Sequence, residues 1–298
     1  MIVITKYPRC DDLRGRSCWR MLISMTFAHK KSLGQNFLNN PHVPRRMCEA
    51  GEVGVGDTVL EIGPGTGALT RELLALGAIV KAVEADARAI AALEETFKSE
   101  LATGQLTLTH GDMRKLSAKD VAQTFGLRDH EYKLIANIPY YLSGLLFRAF
   151  LETPVQPSTL VFLTQKEVAE RIARSDNSSI LSLAVTAYGT PSYICTVRRG
   201  NFTPPPRVDS AIISVTNINR DHFHTINERA FFELLHHAFG QKRKQLFGTL
   251  RTHYDRGAVA SALTATGISF TARPEELSLN EWIAVATILL SPPVSPIS

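Results

Sequence analysis

Four consecutive residues, Asn137-Ile138-Pro139-Tyr140, combine a side-chain amide, a backbone carbonyl held by the following X-Pro bond, and an aromatic ring. Hydrogen-bond acceptors beside a flat stacking surface suit a planar amino group, such as the exocyclic nitrogen of a nucleobase. Taken alone, the same residues also suit a strand end with a packed tyrosine, because Asn and Pro are ordinary turn residues.

A second cluster lies upstream, in Glu61-Ile62-Gly63-Pro64-Gly65-Thr66-Gly67-Ala68. A glycine turn between a strand and a helix brings backbone N–H groups and a positive helix end close to a ligand. Gly63-x-Gly65-x-x-Ala68 satisfies the loose dinucleotide fingerprint. The third glycine comes one position early, however, at Gly67, and Glu61 sits two residues before the first. This E-x-G-x-G-x-G form is the one seen in class I methyltransferases that use S-adenosylmethionine. Glu84 would hold ribose hydroxyls in either case. Asp112 and Asn137 end the next two strand-like runs, so acids and amides fall at consecutive strand tips, where open α/β sheets bind ligands.

The elements that position these residues alternate. Strand-like Thr58–Ile62 leads through the glycine turn into a helical run, Ala68 to Leu76, ended by Gly77. Ile79–Glu84, helical Ala87–Leu101, Leu106–Thr109, Tyr132–Ala136, Thr159–Leu163, Ser192–Val197 and Ser210–Val215 continue the series. Strands alternating with helices imply right-handed crossovers and a mostly parallel sheet. After Val215 only helical spacing remains: Phe231, Leu234, Leu235, Ala238 and Phe239 before Gly240, then Val259-Ala260-Leu263, then Trp282–Leu290. The expected organisation is an α/β domain over 25–216 and a small all-helical domain over 217–290. Residues 1–24 read as a disordered extension or an over-long start, and 291–298 as a frayed Pro/Ser tail. There is no internal repeat.

Composition narrows the classes. The chain has 298 residues, 44% of them apolar and 20% charged, as in ordinary soluble globular proteins. No apolar run approaches the about 18–20 residues that cross a bilayer. The net charge is +5, and residues 1–31 alone carry that excess. The remainder is almost neutral, so local clusters must carry any nucleic-acid argument. Cys10, Cys18, Cys48 and Cys195 show no C-x-x-C spacing, which makes a metal site or disulfide framework improbable and fits a reducing compartment.

Across 28–290 the chain resembles the ribosomal small-subunit rRNA adenine dimethyltransferases. The resemblance rests on Lys30-Lys31-Ser32-Leu33-Gly34-Gln35-Asn36-Phe37-Leu38, on Leu60–Thr70, on Asn137–Tyr140, and on Phe202-Thr203-Pro204-Pro205-Pro206-Arg207-Val208-Asp209-Ser210, which matches F-x-P-x-P-x-V-x-S. Phe239-Gly240-Gln241-Lys242-Arg243-Lys244-Gln245-Leu246 and Arg273-Pro274-Glu275-Glu276-Leu277-Ser278 complete it. One departure is Gly248-Thr249, where the family usually shows Asn.

The resemblance implies an α/β fold with a class I, Rossmann-like methyltransferase sheet in a catalytic domain over 25–216, followed by a helical RNA-binding domain over 217–290. It implies S-adenosylmethionine held by Gln35, Asn36, Leu38, Gly63, Gly65, Glu84, Asp112 and Asn137, with Glu84 on the ribose and Asp112 on the adenine amino group. The implied target is N6 of two adjacent adenosines in the 3′-terminal hairpin loop of small-subunit (16S) rRNA, each taking two methyls. Asn137, Ile138, Pro139, Tyr140 and Phe202 form the catalytic set, with Tyr140 and Phe202 stacking on the base from its two sides. Arg198, Arg199, Lys242, Arg243 and Lys244 would meet RNA phosphates. The helical segment 165–174 is left without a role. Expected with this are a cytoplasmic monomer acting on the immature 30S subunit, no metal and no membrane. Three rivals remain: a large-subunit rRNA methyltransferase conferring antibiotic resistance, a non-catalytic assembly or transcription factor on the same fold, and a NAD-dependent dehydrogenase, which leaves Asn137–Tyr140 without a purpose.

Overall fold

The computed structural model describes residues 36–241 and 244–290. The expectations placed on 1–24, Gln35, Lys242, Arg243 and 291–298 therefore lie outside the described residues.

Among the described residues, nine strands are formed: β1 (Phe37–Leu38), β2 (Thr58–Ile62), β3 (Ile79–Glu84), β4 (Leu106–His110), β5 (Lys133–Asn137), β6 (Thr159–Gln165), β7 (Thr190–Val197), β8 (Phe202–Thr203) and β9 (Ser210–Thr216). Seven make one open sheet in the order β4-β3-β2-β5-β6-β9-β7. From β4 to β6 all neighbours are parallel. Leu134, Ile135 and Ala136 in β5 are fully buried, because helices cover both faces and a strand enclosed on both sides reads as a continuous apolar run. The order reverses between β2 and β5, and ligand crevices open at such a switch point.

The far side of the sheet departs from a simple parallel series. β9 lies between β6 and β7 and runs antiparallel to both. The connection from β7 to β9 carries only a short 3₁₀ turn at Arg199–Asn201 and β8. Without a crossover helix, neighbouring strands pair antiparallel.

One helical expectation is refined. The run from Ala87 divides into Ala87–Thr96 and Lys98–Ala102. Its break is at Phe97, whose side chain is buried against the turn at Gly67. Helix Ser143–Leu151, which follows the tetrapeptide, buries Leu146, Phe147 and Phe150 under the sheet.

After Thr216 only helical elements follow among the described residues, including Glu228–Phe239, Arg256–Thr266 and Leu279–Leu289. Asn227, Asp255 and Ser278 cap the three, each satisfying a backbone donor that the first turn leaves open. The core is continuous from the sheet into these helices: Phe147 and Phe162 belong to the same cluster as Leu234, Leu235 and Trp282. Arg220 ties the junction by reaching the Glu228 carboxylate and the carbonyls of Glu152 and Thr153.

A second, two-stranded sheet completes the fold. β1 pairs antiparallel with β8, Phe37 opposite Thr203 and Leu38 opposite Phe202. Asn39 and Asn40 extend the tie, the first through its backbone N–H to the Asn201 carbonyl and the second from its amide to Asn201 Oδ1 at 2.7 Å.

Candidate active site

The C-terminal ends of β2, β3 and β5, with the turn after β4, converge on one cavity. Asn36, Leu38, Gly63, Gly65, Glu84, Asp112 and the whole of Asn137–Tyr140 line it.

The glycine turn gives this cavity its floor. Gly63, Gly65 and Gly67 all have positive φ (68°, 58° and 78°), a conformation that side chains rarely adopt. At two of them space also matters. A Cβ on Gly65 would stand 3.0 Å from the Phe37 ring, and one on Gly67 2.6 Å from Phe97. Gly67 is the N-cap of helix Ala68–Ala75, so the turn delivers a helix start to the cavity.

Three carboxylates stand around the turn in different states. Glu84 is 5% exposed. Its Oε2 accepts the Gly65 N–H at 3.0 Å and its Oε1 the Asp86 N–H at 2.8 Å. Burial raises its pKa above the ordinary value, and the amides of Asp86, Gly65 and Ala85 oppose that rise. A carboxylate oxygen has a second lone pair, so both oxygens can still accept from vicinal hydroxyls. Asp112 is held the opposite way. Arg114 reaches both of its oxygens, with Nη2 to Oδ2 at 2.6 Å and Nε to Oδ1 at 2.9 Å, and that guanidinium keeps the Asp112 pKa below the usual carboxylate value.

Glu61 lies beneath both, 1% exposed, accepting a hydrogen bond from Thr70 Oγ1 at 2.7 Å. Burial, with the nearby Glu84 charge, pushes its pKa up to about 8. The folded protein therefore binds this proton more tightly than the unfolded chain. The stability it contributes is full below the ordinary value of 4.5 and is lost as pH rises through about 8. Glu61→Gln keeps an acceptor for Thr70 and removes the titration. Thermal melts from pH 5 to pH 9 should show the wild type losing stability relative to the variant as pH rises, and a pH-independent difference would contradict a protonated Glu61.

The tetrapeptide is fixed from several sides. Asn137 Nδ2 donates to the Asn36 carbonyl at 3.3 Å, leaving Oδ1 without a partner among the described residues. Ile138 is 2% exposed and its N–H donates to the Leu163 carbonyl. No donor among the described residues reaches its carbonyl. Pro139 (φ −56°, ψ 130°) then turns the chain into a 3₁₀ turn, Tyr140–Leu142. Tyr140 is held at both ends. Its hydroxyl bonds Ser210 Oγ at 2.6 Å, and its carbonyl accepts from Ser143 Oγ, which also bonds Thr164 Oγ1. Ser143, Thr164 and Ser210 are all buried, so this hydroxyl chain stays polar inside the protein because each member is satisfied.

The arrangement can bind a ribose through Glu84 and an amino-bearing ring through Asp112. It also presents two acceptors, Asn137 Oδ1 and the Ile138 carbonyl, beside the Tyr140 ring. Glycines with positive φ at the floor and carboxylates spaced along the strand tips fit an adenosine-containing group such as S-adenosylmethionine.

Not every expected residue joins the site. Phe202 is 2% exposed and packs in the core with Leu38, Val197 and Ile212; it does not line the cavity. It reaches the site instead through the pairing of its backbone with Leu38. Arg198, Arg199 and Lys244 are exposed. Sequence reasoning missed Phe37, Arg114, Ser143, Thr164 and the role of Ser210. The spacing Asp112-x-Arg114 is the one available signal among these.

The family described as Ribosomal RNA adenine dimethylase matches residues 26–290. A Ribosomal RNA small subunit methyltransferase A of Dehalococcoides mccartyi is 38% identical over 265 residues, covering 88% of this chain and 89% of the relative. Among solved structures, a dimethyladenosine transferase from Plasmodium falciparum aligns with a TM-score of 0.68 and 26% identity, over 84% of this chain and 95% of that one. The 23S rRNA methyltransferase ErmE aligns with a TM-score of 0.65 over 86% of this chain and all of its own, at 22% identity, and so shares the fold.

Proposed function

The chain belongs to the ribosomal RNA adenine dimethylase family, and on that premise we propose that it dimethylates N6 of two adjacent adenosines in the 3′-terminal hairpin loop of small-subunit rRNA. The observation that carries the reading is the Asn137 amide. Its Nδ2 is committed to the Asn36 carbonyl, which aims Oδ1 into the cavity as an acceptor.

The residues divide the work. Glu84 would take the ribose hydroxyls of S-adenosylmethionine, Asp112 its adenine amino group, and Asn36, Leu38, Gly63 and Gly65 would enclose it. When bound, S-adenosylmethionine supplies an electrophilic methyl on a sulfonium whose departure makes the transfer downhill. An adenine N6 is a poor nucleophile because its lone pair is delocalised into the ring. Asn137 Oδ1 and the Ile138 carbonyl accept its two N–H bonds and favour a pyramidal nitrogen, while Pro139 keeps that carbonyl aimed. After the first transfer one N–H remains, and one acceptor suffices to hold it. Neither acceptor is a general base, so the proton released from the methylated nitrogen passes to water. Catalysis rests on placement and on preorganised dipoles. Tyr140 supplies a stacking face worth about 1–3 kcal/mol per base, which offsets part of the cost of taking a base out of its stack.

The helical segment 217–290, with Lys244 exposed on it, is assigned to grip the ribosomal particle, together with Arg198 and Arg199 near the catalytic end. Lys242 and Arg243 share that assignment from sequence. Among the described residues no helix is long and apolar enough to cross a membrane, and no group of three or more His, Cys, Asp or Glu could hold a metal. The proposal includes a cytoplasmic monomer acting without a metal.

Incubation of the protein with labelled S-adenosylmethionine and undermethylated small subunits should yield dimethyladenosine on mass spectrometry of the rRNA nucleosides. Label confined to large-subunit RNA would replace this reading with its large-subunit rival.

A further inference from the structure

Beside the cavity, on the other side of Tyr140, lies a second recess of about 490 Å³ with a polar lining that includes Lys166, Arg199 and Arg207. It joins the active site through adjacent residues. Ser210, which holds the Tyr140 hydroxyl, stands opposite Gln165 across the β6–β9 pair. Asp209, next in the chain, accepts the Lys166 N–H through its carbonyl at 3.0 Å and the Arg199 N–H through Oδ1 at 2.9 Å. These two bonds bring the start of helix Lys166–Ala173, the loop after β7 and the proline-rich loop before β9 to one place.

The charges of the recess are unequal in their commitments. Glu167 is engaged by Arg171 at 2.5 Å, and Glu170 by Lys166 at 3.6 Å. Asp209 is engaged by a backbone amide. Arg199 and Arg207 are both exposed and have no carboxylate within 4.0 Å among the described residues. Two guanidinium groups without a carboxylate partner thus line an open polar recess, in which Glu167 is paired by Arg171 and Glu170 only loosely by Lys166. The Lys166–Glu170 pair is long and leaves the ammonium available to a stronger anion.

We propose that this recess binds a backbone phosphate of the RNA at or next to the adenosine being methylated, with Arg199 and Arg207 as the principal ligands and Lys166 as a third. The assignment rests on the function proposed above. A base stacked on Tyr140 and its own phosphates are one ribose apart, and the recess is tied to Tyr140 through Ser210 and the adjoining Asp209. Guanidinium groups suit this anion because they present paired N–H donors to its oxygens. Phosphate contacts carry no sequence information but fix the register of the nucleotide. The recess would therefore set how far the base reaches over Asn137 and Ile138, and it gives a role to Arg207 and to the start of the helical segment 165–174.

The test is Arg199→Ala with Arg207→Ala in the full chain, assayed on undermethylated small subunits over a series of KCl concentrations. Both side chains are exposed, and an unchanged affinity for S-adenosylhomocysteine verifies the fold of the variant. We expect the dependence of log kcat/KM on log salt to become shallower by about 0.7, the value for one single-strand phosphate contact. Turnover at saturating subunits should also fall, because a contact beside the reacting base positions it, whereas a distant one shifts KM alone. Arg199→Lys with Arg207→Lys should restore the salt slope and only part of the turnover. An unchanged slope, or a KM effect without a turnover effect, overturns the recess while leaving the proposed function in place. Failure of the wild type to methylate small subunits removes both.

Discussion

Asn137→Ala is expected to lower methyl transfer to small subunits by about 10²–10³-fold, the cost of removing one preorganised hydrogen-bonding group at a reacting centre. Alanine deletes the Oδ1 acceptor and the Nδ2 bond to the Asn36 carbonyl. The Ile138 carbonyl and the Tyr140 face remain, so the base is still seated but the pyramidal geometry at N6 is no longer favoured. Cofactor affinity should weaken only a few-fold, since Asn137 is one of several residues around the cavity. Single-turnover transfer, with separate equilibrium binding of S-adenosylhomocysteine, distinguishes the two effects. Turnover near the wild-type level would remove the amide from the mechanism. Asn137→Asp sharpens the comparison. It keeps an acceptor but turns a carboxylate toward the Asn36 carbonyl, so its rate should lie between wild type and alanine.

The second large effect is at Glu84, and it falls on binding. Its carboxylate anchors the Gly65 and Asp86 amides while lining the cavity. Glu84→Ala leaves both buried donors unpaired and removes the acceptors for two ribose hydroxyls. Hydrogen bonds to charged groups contribute about 1.5–3 kcal/mol each, so loss of the ribose contacts should weaken cofactor binding by about 100-fold or more. Calorimetric titration with S-adenosylhomocysteine measures this directly. An affinity within a few-fold of wild type would move the ribose site elsewhere. Saturating the variant with S-adenosylmethionine should recover a large part of turnover, the opposite of the pattern at Asn137.

The site was legible where chemistry coincides with strand ends. Glu84, Asp112 and Asn137 each close or follow an apolar run, and period and punctuation place such residues without knowledge of packing. The glycine turn was legible for the same reason. What escaped depends on relations that a linear pattern does not carry. Ser210 holds Tyr140 across 70 positions, and nothing in a serine at a strand start distinguishes a tether from a filler. Phe202 before a proline-rich stretch fits a stacking wall and a core residue equally, and its burial beside Leu38 and Ile212 is a relation that the pattern does not carry. The direction of β9 is also absent from its alternation of residues. The lack of a helical run between Val197 and Ser210 is a signal that could have found it, because parallel neighbours need a long crossover. The helical tail was readable from its 3.6-residue spacing. Its continuity with the sheet core was not, since Arg220 reaches the Glu152 and Thr153 carbonyls and Tyr188 reaches Glu228, partners remote in sequence.

The short ribbon of β1 and β8 joins two binding events. At one edge Asn36, Phe37 and Leu38 close the cofactor cavity; at the other, Phe202 and Thr203 lie between Arg199 and Arg207 of the phosphate recess. Any shift that a ligand imposes on one edge is passed to the other through the paired backbone, which couples the affinities for cofactor and RNA. Linkage is reciprocal: whatever factor the cofactor adds to RNA affinity, RNA returns to the cofactor. Four methyl groups require four cofactor molecules, and each exchange of spent for fresh cofactor passes through a state in which that factor is absent. The ribbon is therefore a path by which each exchange of cofactor bears on the hold on the RNA, as well as a wall of the site.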